Sequence, residues 1–137
     1  MKFDKVILVG ISMAGAIAFD FASRYPDLIS KIVSIDGYIT KVEKNPGILR
    51  KSLRKIRVSR HSSIDIEEEA KSVKAPVLYL YGTKTNYREI PLQKNLEFLQ
   101  TYLPQAWIVG MEEGIFELAM QKPEELSSLI LEFLSKR

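Results

Sequence analysis

Four short apolar runs are spaced along the chain, and each ends at a turn-forming residue. KVILVG, residues 5–10, is continuous, apolar and closed by glycine, which predicts a strand buried on both faces. KIVSID, Lys31 to Asp36, runs into Gly37; APVLYLYG, Ala75 to Gly82, opens with a proline and closes with glycine; AWIVG, Ala106 to Gly110, is the shortest. Between the first two runs the spacing changes to a helical period. Ala14, Ile17, Ala18, Phe21 and Ala22 fall on one face of a helix from Met13 to Arg24, which the following Tyr-Pro stops. Further helices are predicted over Leu92–Tyr102 and Pro123–Lys136, the second with proline in its first turn. Strands alternating with helices define an α/β fold with a parallel sheet and right-handed crossovers.

Residues 41–72 break that alternation. Leu49, Leu53 and Ile56 share one face of a basic segment, and an acidic helix-like segment, IDIEEEAKSVK, follows. The pattern predicts a short helical flap inserted between strands 2 and 3 of a single domain spanning residues 1–137. Between Lys41 and Arg60 there are eight Lys or Arg residues against one Glu. Such a stretch could touch an anionic membrane or nucleic acid. Asp65, Glu67, Glu68 and Glu69 partly neutralise it, and no nucleic-acid-binding motif accompanies it, so it reads as a solvated lid helix.

At 137 residues, the chain is long enough for one domain with a true core. Its 46% hydrophobic and 27% charged residues are those of a globular protein, and its net charge of +3 is weak evidence for nucleic acid. The absence of cysteine removes disulfides, thiol catalysis and cysteine–zinc sites. No paired histidines or clustered carboxylates suggest a metal, and no apolar run approaches the ~20 residues of a membrane span. The opening MKFDKVILVG lacks the features of a signal peptide, so the sequence reads as cytoplasmic.

Candidate chemistry begins at Gly10-Ile11-Ser12-Met13-Ala14-Gly15. This approaches G-x-S-x-G, in which small residues flank a serine on a sharp strand-to-helix turn because strand and helix nearly collide there. Gly10 fits, Ala14 departs slightly and Gly15 follows at once. A serine so placed stands at a helix N-terminus, where the Met13 backbone N–H could donate to an oxyanion. If it is inert, Ser12 is simply a helix cap.

The stretch LVGISMAGAIAFDFASRYPDLISKIVSID resembles the nucleophile-elbow segment of the α/β-hydrolase superfamily. APVLYLYGTKTN resembles its later strand and acid turn, and LPQAWIVGMEEGIFELAMQKPEELSSLILEFL its last strand, histidine loop and final helix. The resemblance begins at the family's fifth strand. It implies a partial α/β-hydrolase fold of about four parallel strands with flanking helices. It also implies an esterase or acyl-hydrolase ancestry, a small ester or acyl substrate, and no cofactor.

By the same resemblance the acid position falls on Thr85, beside Asn86, and the histidine position on Ile115; none of these can do the family's work. Asp36, at the end of the second strand, is an alternative acid, since some members carry the carboxylate there. His61, the only histidine, lies before the third strand rather than after the last, and reads as a surface residue; Glu112 and Glu113 read as a solvated acidic turn. A serine hydroxyl without a base is a poor nucleophile, so the chain is expected to be weak or inactive alone. The alternative is a non-catalytic pseudohydrolase module or a truncated gene product.

Four strands in sequence order would leave the apolar first strand at an open edge near Val6–Val9. Unpaired edges of this kind associate, which predicts a homodimer or a second chain covering it.

Overall fold

A computed structural model describes residues 4–39, 66–84, 92–114 and 118–136. It contains strands β1 (Val6–Ile11), β2 (Ile29–Ile35), β3 (Val77–Gly82) and β4 (Ala106–Met111). The helices are α1 (Met13–Arg24), α2 (Glu67–Lys71), α3 (Leu92–Tyr102), α4 (Leu118–Gln121) and α5 (Pro123–Ser135), with a single 3₁₀ turn at Pro26–Leu28. The sheet is entirely parallel in the order β1-β2-β3-β4, as the alternating pattern predicts.

The two sheet faces carry separate cores. On one, Phe19 and Ala22 of α1, Ala70 of α2 and Leu99 of α3 pack over Ile32, Val77 and Tyr79. On the other, Leu118 of α4 with Leu126 and Phe133 of α5 cover Val33, Ile35, Leu78 and Leu80. Fully buried side chains such as Phe19 and Leu99 each contribute about 2–3 kcal/mol. Lys31, at the start of β2, donates to the carbonyls of Phe133 (2.9 Å) and Leu134 (3.0 Å), fastening the end of α5 to the sheet.

Two expectations from the pattern are corrected. β1 is not buried on both faces: Val6 and Leu8 pack beneath α1, whereas Ile7, Val9 and Ile11 are exposed, because α5 covers β2 to β4 and does not extend over β1. The buried face of α1 is Gly15, Ala16, Ala18, Phe19 and Ala22, and Ile17 and Phe21 lie outside it. Small residues win that face because α1 sits close to β2. A Cβ on Gly15 would lie 2.5 Å from Ser34 Oγ and 3.1 Å from Gly37 Cα. Of the flap expected at 41–72, residues 41–65 lie outside the described residues. Residues 66–72 include α2, which packs into the core through Ala70.

Candidate functional site at the carboxyl ends of the strands

Parallel strands bring their carboxyl ends to one rim of the sheet, and of the residues singled out from the sequence, Ser12, Met13, Asp36, Glu112 and Glu113 follow those strand ends. Ile11 registers with Ile35 and Gly82 with Met111, so Ser12 and Asp36 follow neighbouring strand ends, as do Thr83 and Glu112.

Ser12 is the whole turn between β1 and α1. Its backbone has φ 54° and ψ −123°, a conformation that costs a non-glycine residue of order 1–3 kcal/mol. Gly10 makes the turn possible. A Cβ there would lie 2.3 Å from the Ala14 carbonyl oxygen, so strand and helix backbones touch at this point. Ala14 is exposed, which explains why the pattern's last small position accepts a methyl group; the close approach to β2 has passed to Gly15. The reading of Ser12 as a helix cap is not supported. An N-cap side chain needs extended backbone to reach the first-turn amides, and the Ser12 hydroxyl makes no such bond. Instead the Ser12 backbone N–H donates to the Ile35 carbonyl at 2.8 Å. Met13 opens α1, so its N–H belongs to the first turn, which has no partner within the helix.

Asp36 is buried, with 4% of its surface exposed, and its φ is 49°. Its N–H donates to the Leu80 carbonyl at 2.8 Å, and its Oδ2 accepts the Leu118 N–H at 3.2 Å. A carboxylate from β2 therefore holds the first residue of α4, three positions along the chain from Ile115. Two residues past Asp36, Tyr38 is partly buried, and burial pushes its phenol above the ordinary 10.0.

The loops after β3 and β4 are stitched together. The Lys84 N–H donates to the Gly114 carbonyl at 2.9 Å, Thr83 N–H and Oγ1 both donate to the Met111 carbonyl, and Lys84 Nζ pairs with the exposed Glu113 carboxylate. Thr85 and Ile115, along with Asn86 and His61, lie outside the described residues; the first two follow directly on Lys84 and Gly114 in the chain. Glu112 and Glu113 are exposed, in keeping with a solvated turn. Sequence reasoning missed Ser34, a fully buried hydroxyl without a hydrogen-bond partner, wedged between Gly15 and Gly37. The glycine after each of the first two strand ends was the available signal. Among the described residues, no group of three or more His, Cys, Asp or Glu side chains could hold a metal. No described helix is long and apolar enough to cross a membrane.

A family model for the α/β hydrolase fold matches residues 1–57, the stretch that contains β1, Ser12, α1 and β2. No curated protein matches the chain. Among solved structures, naproxen esterase (carboxylesterase NP) from Bacillus subtilis superposes with a TM-score of 0.77 at 13% identity, over 97% of this chain and 61% of its own. Carboxylesterase CesB from the same organism gives 0.73 at 17% identity, over 97% and 61%. An α/β hydrolase enzyme from the sediment metagenome of the Mar Chica lagoon, Morocco, gives 0.72 at 21%, over 96% and 61%. The chain thus spans between 51% and 66% of the length of such structures. It is related to the α/β-hydrolase superfamily, and its parallel sheet with flanking helices is a partial α/β-hydrolase fold.

Proposed function

We propose that this chain is an α/β-hydrolase of serine esterase or acyl-hydrolase type, with Ser12 at the nucleophile position and the Met13 N–H facing the developing oxyanion. The observation that carries the reading is the Ser12 backbone, φ 54° and ψ −123°. The strained turn lifts the side chain away from the first-turn amides of α1, leaving the hydroxyl uncommitted to the helix. The structural likeness to carboxylesterases supports the substrate class, a small ester or acyl compound.

By the same family correspondence Thr85 and Ile115 hold the acid and histidine positions. Asp36 is the remaining carboxylate fitted to the acid's role, since it is buried beside Ser12 and reaches the start of α4. Neither Thr85 nor Ile115 can accept the serine proton, so the chain alone is a weak catalyst. Loss of a triad member leaves only the residual ~10³–10⁴-fold rate enhancement that comes from binding and the oxyanion hole. Those two residues also favour a second reading, a non-catalytic pseudohydrolase module on the same fold.

Hydrolysis of p-nitrophenyl acetate by the folded chain and by Ser12→Ala tests the proposal. Turnover by the chain is expected to exceed that of Ser12→Ala by only a small factor. Rapid, Ser12-dependent turnover would place a base elsewhere in the chain and overturn the weak-alone assignment. Full equality of the two proteins would favour the pseudohydrolase module.

A further inference from the structure

Four residues carry the chain out of β2, from Asp36 to Ile39, and all but Tyr38 are buried. A backbone leaving a strand normally turns toward solvent, where water satisfies its polar groups. Here protein groups do so instead. The Asp36 N–H donates to the Leu80 carbonyl at 2.8 Å, the Gly37 carbonyl accepts the Tyr79 hydroxyl, and the Ile39 N–H donates to Asn95 Oδ1 at 2.7 Å. The Ile39 carbonyl accepts the Ile66 N–H at 3.3 Å. Gly37 has no room for a side chain, since a Cβ there would lie 2.2 Å from Ser34 Oγ and 3.4 Å from Gly15 Cα.

Two of the side chains that hold this segment are out of keeping with their elements. On α3 the buried positions are Asn95, Phe98 and Leu99, the i, i+3, i+4 spacing of a core face. A fully buried amide thus stands where the helix would otherwise place an apolar residue. Asparagine is a poorer helix former than leucine, and burying its amide is costly unless it is hydrogen-bonded. On β3, Tyr79 is buried with its hydroxyl on Gly37, whereas phenylalanine would fill the same space with no polar group to satisfy. Both polar groups reach the same four residues.

The residue at the head of the segment is strained. Asp36 has φ 49°, and a non-glycine residue keeps such a conformation only where its surroundings over-determine it. Its Oδ2 accepts the Leu118 N–H at 3.2 Å. Leu118 belongs to the core on the α5 face of the sheet, whereas Tyr79 and Ile39 belong to the core on the α1 face. Contacts made on one face therefore reach, through three residues of backbone, a carboxylate that acts on the other.

We propose that Asn95 and Tyr79 are positioning residues for Asp36. By fixing the Ile39 N–H and the Gly37 carbonyl, they hold the strained turn, and with it the carboxylate, at the strand end next to Ser12. That this carboxylate is the acid of the site rests on the function proposed above; that these two side chains hold it does not.

Amide hydrogen exchange of the full chain at Leu118, the N–H that Asp36 holds, reads the carboxylate's position without reference to Ser12. Tyr79→Phe keeps the ring and removes the hydroxyl; Asn95→Ala removes the acceptor. Each is expected to speed exchange at Leu118 relative to the core-strand amide of Val33 by roughly tenfold or more. Phe98→Leu thins the packing of the same helix face but removes no side-chain hydrogen bond, and is expected to leave that ratio within about twofold of wild type. If both polar variants leave the ratio unchanged, or Phe98→Leu raises it as far, the two side chains only pack the core and the positioning role is overturned. Fluorophosphonate labelling of the same proteins decides the other question. A Ser12 that never labels, in a chain whose Leu118 responds as expected, would sink the hydrolase reading and uphold the positioning role.

Discussion

Ser12 and Asp36 occupy equivalent places on neighbouring strands, one residue past the Ile11–Ile35 register pair, and both turn the chain with positive φ, 54° and 49°. The Ser12 N–H is tied to the residue before Asp36, at the Ile35 carbonyl. Two strained residues side by side are costly for a fold, and they place a hydroxyl and a carboxylate on the same rim.

The strain at Ser12 has a stability signature. Glycine adopts this backbone without the Cβ penalty, whereas alanine keeps it. Ser12→Gly is expected to stabilise the protein by about 1 kcal/mol in chemical denaturation. Ser12→Ala, which loses no capping bond, should leave stability within about 0.5 kcal/mol of wild type. A cap would give the opposite order, with alanine clearly destabilising.

Close approach of α1 to β2 gives a second test. Gly15→Ala would press a methyl group against Ser34 Oγ, 2.5 Å away, at a cost of about 1–3 kcal/mol. Ser34→Ala removes a buried hydroxyl without a partner and is expected to be neutral, or stabilising by up to about 1 kcal/mol. The two positions touch, so the double variant should be more stable than the sum of the singles predicts; additive denaturation midpoints would contradict this packing.

Much of the fold was legible in the sequence because strand and helix periods are local properties. The bounds of α1 and α3 match the pattern, and Tyr25-Pro26 sets the end of α1. The burial of α1 was not legible. Apolar spacing put Ile17 and Phe21 in the core, but they are exposed, and the choice is made by Gly15 of α1 packing closely against Ser34 and Gly37 at the end of β2. β1 was misread for a related reason: a continuous apolar run shows that a strand wants cover on both faces, not that the cover is present. At the rim, the glycine spacing made the sharp strand-to-helix turn at Ser12 legible. The bond from Leu118 to Asp36 joins residues far apart in the chain and leaves no local trace.

That bond supplies a third prediction. Asp36→Ala would strand the Leu118 N–H in a buried setting, costing about 1–3 kcal/mol. Asp36→Asn retains an acceptor oxygen and should cost less. Loosening of residues 118–121 in the alanine variant, followed by amide hydrogen exchange, would locate the effect; equal exchange in both variants would mean that Asp36 does not hold α4.

The direct test of Ser12 as a nucleophile without its base is intact mass after exposure to a fluorophosphonate, applied to the wild-type chain, Ile115→His, and Ile115→His with Ser12→Ala, each folded by circular dichroism. Supplying the imidazole three residues before the Leu118 amide that Asp36 holds is expected to speed formation of a single adduct by roughly tenfold or more, and Ser12→Ala should abolish it. If Ile115→His labels no faster than wild type, or if the adduct survives Ser12→Ala, Ser12 is not the nucleophile of a site that lacks only its base.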